Sequence, residues 1–448
     1  MSTLAPSYCR RHPLAAALTA ASLAAVLPLS VHAAGESDRI RELEIKLERS
    51  MQMIEMLSAK VQKLETGAGK GEGQTTTASA SGKQEERMDS LERQVAQIGA
   101  GSQHKSDDGI PLHGFADVGY ALSNRGNTQG SGPKGFGVGS FDLYLNPRLG
   151  DRIKTLIELI FEVDDGGHTE AELERAQMGY TFSDAATLWA GRFHTPYGYW
   201  NTGFHHGAQI QTAILRPRFL DFEEKGGILP AHTVGAWLTG NLRTGEGKVN
   251  YDLYVGNGPR IAANSLNPNM ASDDNHQAML GFNAGYSFGG AATGLRLGLH
   301  GFKMDVNDDL GNKTDVLMSG LYGIFLNDSW EVMSEYYHFN DRTLKSATPR
   351  SGDTQASSAW FAQVGRNFGV WTPFARYEKT SLNENDPYFF NQVNGVSYSR
   401  QAIGLRYDLS ATSALKAELH RTRMNGTNYN GPIGDGYSEA RLQWAVRF

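Results

Sequence analysis

Cysteine is almost missing: Cys9 is the only one in 448 residues, and it precedes an apolar run, Leu14 to Val31, that comes after Arg10 and Arg11. That order, ended by the small residues around Val31-His32-Ala33, reads as a secretory leader over residues 1–33, and Pro28 favours cleavage over a permanent anchor. Cys9 leaves with the leader, so neither a disulfide framework nor a cysteine-ligated metal is expected in the mature chain. Positive charge is also in short supply. The formal net charge is -6, and loss of the two leader arginines takes it to -8, which gives nucleic-acid binding no support. The scattered Ser and His residues form no evident nucleophile–base pattern, so neither catalysis nor a cofactor is expected. Helical periodicity is absent after Gly101, so the remainder of the chain is left to strands.

Before Gly101 the period is seven. Ile40, Leu47, Ile54 and Val61 occupy one heptad position and Leu43, Ser50, Leu57 and Leu64 the other, so residues 34–66 are expected to form a coiled coil. Residues 67–82, rich in Gly, Ser and Thr, read as a linker, and residues 83–100 as a second short coil through Met88, Leu91, Val95 and Ile98. Ile at one position with Leu at the other leans toward two strands. The Arg-x-x-x-x-Glu spacing of Arg39-Ile40-Arg41-Glu42-Leu43-Glu44, repeated at Arg87-Met88-Asp89-Ser90-Leu91-Glu92, points instead to three, and a homotrimer is expected.

Residues 101–448 change character. Segments of about ten residues alternate in polarity between turn residues, with about sixteen strands starting near 112, 138, 153, 171, 187, 232, 248, 276, 294, 315, 329, 357, 370, 399, 413 and 438. The last is the clearest: Ala440, Leu442, Trp444, Val446 and Phe448 fall on one face, Glu439, Arg441, Gln443, Ala445 and Arg447 on the other. Short turns alternate with long loops, and strands entering the short turns carry aromatics such as Tyr180, Phe182, Tyr286, Phe288, Phe368 and Tyr407. That asymmetry and girdle predict a transmembrane antiparallel β-barrel, an all-β membrane fold in outer-membrane lipid with the coil on the periplasmic side.

A barrel of sixteen strands leaves an aqueous channel, so passage of small hydrophilic solutes is the expected function. Inward positions are expected to be polar and mixed in sign, with Arg148, Arg175, Arg192, Arg296, Arg376, Arg406, Lys416 and Arg441 beside Asp142, Glu158, Glu162, Glu335, Glu378 and Glu418. Strands two, four, five, fourteen, fifteen and sixteen each supply a cation, which closure would gather into a basic arc favouring small anions. The long loop from His194 to Ala231 is too rich in Tyr, Trp and Phe to be a loose tip. It is expected to fold into the lumen and present His194, His205, His206, Arg216, Arg218, Asp221, Glu223 and Glu224 at a constriction. The adjacent His205 and His206 lack a clear ligand spacing, so no metal is expected. A structural alternative is a tether joining the membrane to the cell wall through the coil.

With its leader, strand count, long loop after the fifth strand and terminal Phe448, the chain resembles the general trimeric porins of Gram-negative outer membranes. The heptad segment resembles that of DcaP-like porins, which implies dicarboxylate solutes. Gly191-Arg192-Phe193-His194-Thr195-Pro196-Tyr197-Gly198-Tyr199 is similar to the fifth-strand region of the phosphate-selective porin O and P group, which implies oxyanion contacts at Arg192, Arg216 and Arg218. The dense lysine ladder of that group is missing, which leaves small carboxylates beside phosphate as expected solutes. The terminal aromatic resembles the signal read by the barrel assembly machinery.

Overall fold

The computed structural model describes residues 112–125, 133–147, 149–163, 167–204, 207–346, 352–434 and 436–448. The expected leader, both coil segments with Arg39, Ile40, Leu43, Glu44, Arg87, Met88, Leu91 and Glu92, and the linker lie outside these residues, as do Arg148, His205 and His206.

Among the described residues sixteen strands form the wall. The first eight are β1 (Leu112–Ser123), β2 (Gly135–Leu145), β3 (Ile153–Val163), β4 (Thr169–Ser183), β5 (Ala186–His194), β6 (His232–Thr244), β7 (Gly247–Asn257) and β8 (Ala278–Ser287). They are followed by β9 (Leu295–Asn307), β10 (Lys313–Leu326), β11 (Trp330–Lys345), β12 (Thr354–Arg366), β13 (Trp371–Ser381), β14 (Ser397–Ser410), β15 (Ser413–Asn428) and β16 (Gly436–Arg447). Each pairs antiparallel with the next, and β16 pairs with β1, so the sheet is a closed sixteen-stranded barrel. Every expected start lies within three residues of an observed one. Connections alternate in length as expected, with 184–185, 245–246 and 411–412 at one end and 195–231, 258–277 and 382–396 at the other. Two connections at the long-loop end, 164–168 and 308–312, are nevertheless short.

Closure depends on the end of the chain. The register runs from Phe115 opposite Arg447 to Ser123 opposite Glu439, and the Phe448 N–H donates to the Gly114 carbonyl at 3.1 Å while the Gly114 N–H returns a bond of 3.0 Å. The Phe448 ring then stacks on Phe141 at 5.7 Å. Only glycine fits at 114, because a Cβ there would collide with the Phe448 ring. Leu442 and Trp444 on β16 and Phe448 just beyond it are half-exposed on the outer face, whereas Glu439, Gln443 and Ala445 are buried within.

The outer surface carries Leu122, Leu280, Leu299, Leu321 and Leu419 as an apolar band, with Phe182, Trp330, Phe368 and Trp371 exposed toward the short turns. No helix among the described residues is long and apolar enough to cross a membrane.

The interior departs from the expectation of a wall that is polar throughout. From β7 to β12 the inward positions are largely apolar and buried, including Tyr254, Met279, Phe302, Met318, Met333, Phe339 and Phe361. From β13 to β16 they are charged, with Arg376, Glu378, Arg400, Arg406, Lys416, Glu418 and Glu439. The apolar arc exists because connection 195–231 lies in the lumen and brings aromatic side chains that need an apolar surface to cover them.

Candidate functional site: the constriction loop and its clasp

Connection 195–231 runs the length of the lumen. It leaves β5 and returns to β6 at the long-loop end, yet Gln209 Nε2 donates to the Ala411 carbonyl in a turn at the opposite end, at 3.3 Å. Its two limbs are held through aromatics. Trp200 meets Phe361 edge-on at 5.4 Å, Tyr197 lies 6.1 Å from both Phe302 and Tyr337, and Phe219 sits 5.3 Å from Tyr337. Gly198 makes the first bend at φ +58°, a conformation that disfavours other residues, and a Cβ there would collide with the Glu335 carboxylate. Space at 198 lets Glu335 accept the Trp200 N–H at 2.7 Å and the Tyr337 hydroxyl at 2.5 Å.

The middle of the loop is held through its backbone. Arg376 donates to the Leu215 carbonyl at 2.8 Å and to that of Arg216 at 3.3 Å. Arg406 donates to the carbonyls of Gln209 and Gln211, and Lys416 to those of Ala208 and Ala213. The acids take the N–H groups. Glu418 accepts from Ile214 at 2.8 Å and Leu215 at 3.2 Å, and Glu378 accepts from Arg218 at 2.8 Å. Such charge-assisted bonds satisfy backbone groups that no helix or sheet ladder serves within the lumen.

The expected site residues therefore occupy several different settings. Arg406 and Lys416 belong to this clasp, and Arg216 ties the loop to itself through the Leu220 carbonyl at 2.7 Å and Asn201 at 3.0 Å, its guanidinium 4.2 Å over Phe222. Arg175 donates to Glu158; Arg192 donates to the Leu173 carbonyl and lies 3.5 Å from Glu174; Arg441 donates to Glu439 at 3.3 Å. Arg296 lies over the rings of Tyr199 and Tyr322 at 5.6 and 5.7 Å.

At the loop's root the acids and histidines form a chain. His232 bridges Glu174 at 2.6 Å and Glu223 at 3.1 Å, and His194 lies 3.5 Å from Glu158. Burial pushes the Glu223 carboxyl up, but the His232 ring against it more than reverses this, leaving the group below its ordinary value. Asp221 accepts the Phe222 N–H at 3.1 Å, and Glu224 is exposed next to Lys225, whose ammonium reaches Glu162 at 2.7 Å.

Arg218 stands apart, and the sequence did not single out its company. Its Nη1 donates to the Tyr437 hydroxyl at 2.6 Å, the same oxygen accepts from Arg400 Nη2 at 3.0 Å, and the Arg125 guanidinium lies 5.3 Å over that ring. Three guanidiniums thus surround one phenol, and among the described residues the Nε groups of Arg218 and Arg125 have no hydrogen-bond partner. Arg400 was discoverable, since it shares an alternation with Arg406 on β14; Arg125 lies beyond the end of β1, where alternation gives no guidance.

One run, Gly285-Tyr286-Ser287-Phe288-Gly289, has the Gly-x-Ser-x-Gly spacing of hydrolase nucleophiles. It ends a barrel strand and is followed by only a single 3-10 turn, Gly290–Ala292, where an elbow would lead into an α-helix, and Ser287 Oγ accepts from Asn250 at 3.0 Å, so the elbow that exposes such a serine is not formed.

Solved structures with the same architecture include outer-membrane porins. The anion-selective porin from Comamonas acidovorans aligns with a TM-score of 0.51 at 12% identity, covering 76% of this chain and 99% of its own. The chain has the fold of the general outer-membrane porins. OmpT of Vibrio cholerae, folded in vitro, gives a TM-score of 0.51 at 11% identity over 78% of this chain and all of its own, and its loop L8 deletion mutant 0.50 at 12% over 76% and 99%. No family model matches the chain, and no curated protein does.

Proposed function

We propose that the chain is a passive diffusion channel of the Gram-negative outer membrane for small hydrophilic solutes, with a preference for anions. The observation that carries this reading is the loop clasped along the inside of a closed barrel, which narrows a wide lumen and places Arg218 beside Arg125 and Arg400. The three guanidiniums around the Tyr437 hydroxyl outnumber the Glu378 and Glu439 carboxylates that act on them, leaving positive charge and spare donors, the chemistry that replaces the hydration of a carboxylate or phosphate. One protein of this fold, the Comamonas acidovorans porin, is anion-selective.

Anion contact is assigned first to Arg218 with Arg125 and Arg400, then to Arg175, Arg192, Arg296 and Arg441 along the wall, with Arg148 completing the set. Arg216, Arg406 and Lys416 act on the passage by holding the loop. The Asp221, Glu223 and Glu224 cluster with His194 is assigned to the constriction, as are His205 and His206 by the sequence alone. DcaP-like or phosphate-selective porin O and P-like solutes fit this assignment. Phe448 serves as the signal to the barrel assembly machinery, and the N-terminal heptads hold a homotrimer from the periplasm.

Reversal potential in a salt gradient across a planar bilayer tests the reading. The expected result is an anion-selective potential that moves toward zero in Arg218→Gln. A cation-selective potential in the wild type overturns the anion preference, and a folded, inserted chain that passes no current overturns the channel.

A further inference from the structure

The guanidiniums of the lumen are held in two ways. Several meet a carboxylate: Arg376 donates to Glu378 at 2.9 Å, Arg406 lies 2.7 Å from Asp408, Arg441 donates to Glu439 at 3.3 Å, and Arg175 is paired with Glu158. A guanidinium held in this way has its charge largely cancelled before a solute arrives. Arg218, Arg400 and Arg125 are held otherwise, and none of them forms an ion pair with a described residue. Their partners are an amide, a hydroxyl and a phenol. Arg218 donates to the Asn394 amide oxygen and the Tyr437 hydroxyl, Arg400 donates to Thr422 Oγ1 at 2.8 Å and to the Tyr437 hydroxyl, and Arg125 lies over the Tyr437 ring.

The two acids that act on this group from nearby are already engaged. Glu378 accepts from Arg376, from the main-chain N–H of Arg218 at 2.8 Å and from the Tyr398 hydroxyl at 2.9 Å. Glu439 is bound to His420 at 2.5 Å and to Arg441. Asn394 is therefore the residue that decides whether the Arg218 guanidinium itself meets charge. It lies half-buried in connection 382–396, and its orientation is fixed. Its Nδ2 donates to the carbonyls of Lys225 at 3.2 Å and Gly226 at 3.0 Å, so both amide hydrogens are used and Oδ1 is the atom turned toward Arg218.

We propose that Asn394 is a positioning residue that sets specificity: it fixes the Arg218 guanidinium with an acceptor that cannot ionise, so holding the arginine does not cancel the charge offered to an anion. Aspartate would fill nearly the same space and bind the guanidinium more strongly. It would also turn Arg218 into one more internal pair of the Arg376–Glu378 kind. This role rests on the anion-channel reading and deepens it, since Asn394 acts on the solute only through Arg218.

The test compares wild type, Asn394→Asp and Asn394→Ala by reversal potential in a potassium chloride gradient across a planar bilayer, using the full chain. Asn394→Asp is expected to lower the anion-to-cation permeability ratio about fivefold, as one negative charge set against a guanidinium in a water-filled lumen should. Asn394→Ala removes the tie and adds no charge, so it should keep the anion preference. A purely structural tie predicts the reverse pattern, because both variants lose the bonds to the Lys225 and Gly226 carbonyls. Heat-modifiable gel migration confirms folding. Asn394→Cys adds the charge after folding: Cys9 is the only native cysteine, so a single thiol is labelled once Cys9 is cut away or replaced. An anionic methanethiosulfonate should shift the potential of the inserted channel and a neutral one should not. An Ala shift equal to or larger than the Asp shift, an Asp variant with the wild-type potential, or equal effects of the two reagents would each overturn the proposal. A cation-selective wild type would overturn the anion preference instead, and the Asp shift would still decide the role of Asn394.

Discussion

On β7 to β12 the inner wall offers Phe302, Met318, Tyr337 and Phe361 to the aromatic limbs of the loop; on β13 to β16 it offers Arg376, Arg406, Lys416 and Glu418 to the loop's backbone. Side-chain packing on the apolar arc is non-directional and fixes where the loop lies. Hydrogen bonds on the charged arc have strict geometry and fix how its backbone is turned. A rigid obstruction inside a wide barrel needs both, because aromatic limbs alone would leave the intervening carbonyl and N–H groups without partners.

The contrast can be broken from either side. The largest effect is expected from Trp200→Ala, which empties a buried site against Phe361 and costs about 3–5 kcal/mol of loop docking. Hydrogen exchange should report it across 197–204 while the strands stay protected. Glu418→Gln keeps the shape but weakens the bonds to the Ile214 and Leu215 N–H groups, at about 1.5–3 kcal/mol, with exchange rising at 213–216. Gly198→Ala combines a left-handed φ with collision against Glu335 and should cost roughly 1–3 kcal/mol, measured as a lowered unfolding midpoint.

A smaller, pH-dependent effect belongs to connection 382–396. Asp386 caps the short helix Pro387–Phe390 by accepting the Tyr388 N–H at 3.0 Å, and burial pushes its carboxyl up to about 6. A free aspartate titrates near about 3.9, so the docked loop holds its proton to higher pH than the undocked loop does. Docking should therefore weaken as pH rises from about 4 to about 6 and level off above. Protection factors corrected for intrinsic exchange check this, and Asp386→Asn should alter the dependence without removing it, since the buried Asp341 carboxyl that shares its hydrogen bond remains.

Most of the wall was legible in the sequence because period-two alternation survives wherever one face meets lipid, as at Leu415, Ala417 and Leu419 against Lys416, Glu418 and His420. Closure was legible in part from Phe448, but its dependence on Gly114 was not, since no local pattern links residues at opposite ends of the wall. The apolar arc is hidden for a related reason. Met318, Tyr322 and Ile324 alternate with Leu317, Leu321 and Phe325, so β10 is apolar on both faces and the inward set cannot be told from the outward one until the loop is placed against it. The cations were legible as residue types, but whether a guanidinium meets a carbonyl, as in Arg406, or a phenol, as in Arg218, depends on contacts about 200 residues away.

Whether the charged arc sets the passage by holding the loop is tested most directly by single-channel conductance of Arg376→Ala with Glu418→Ala. Release of the Ile214–Arg216 backbone should give larger, noisier conductance steps with weaker anion preference, in a barrel whose heat-modifiable migration is unchanged. Steps and selectivity identical to those of the wild type would contradict it.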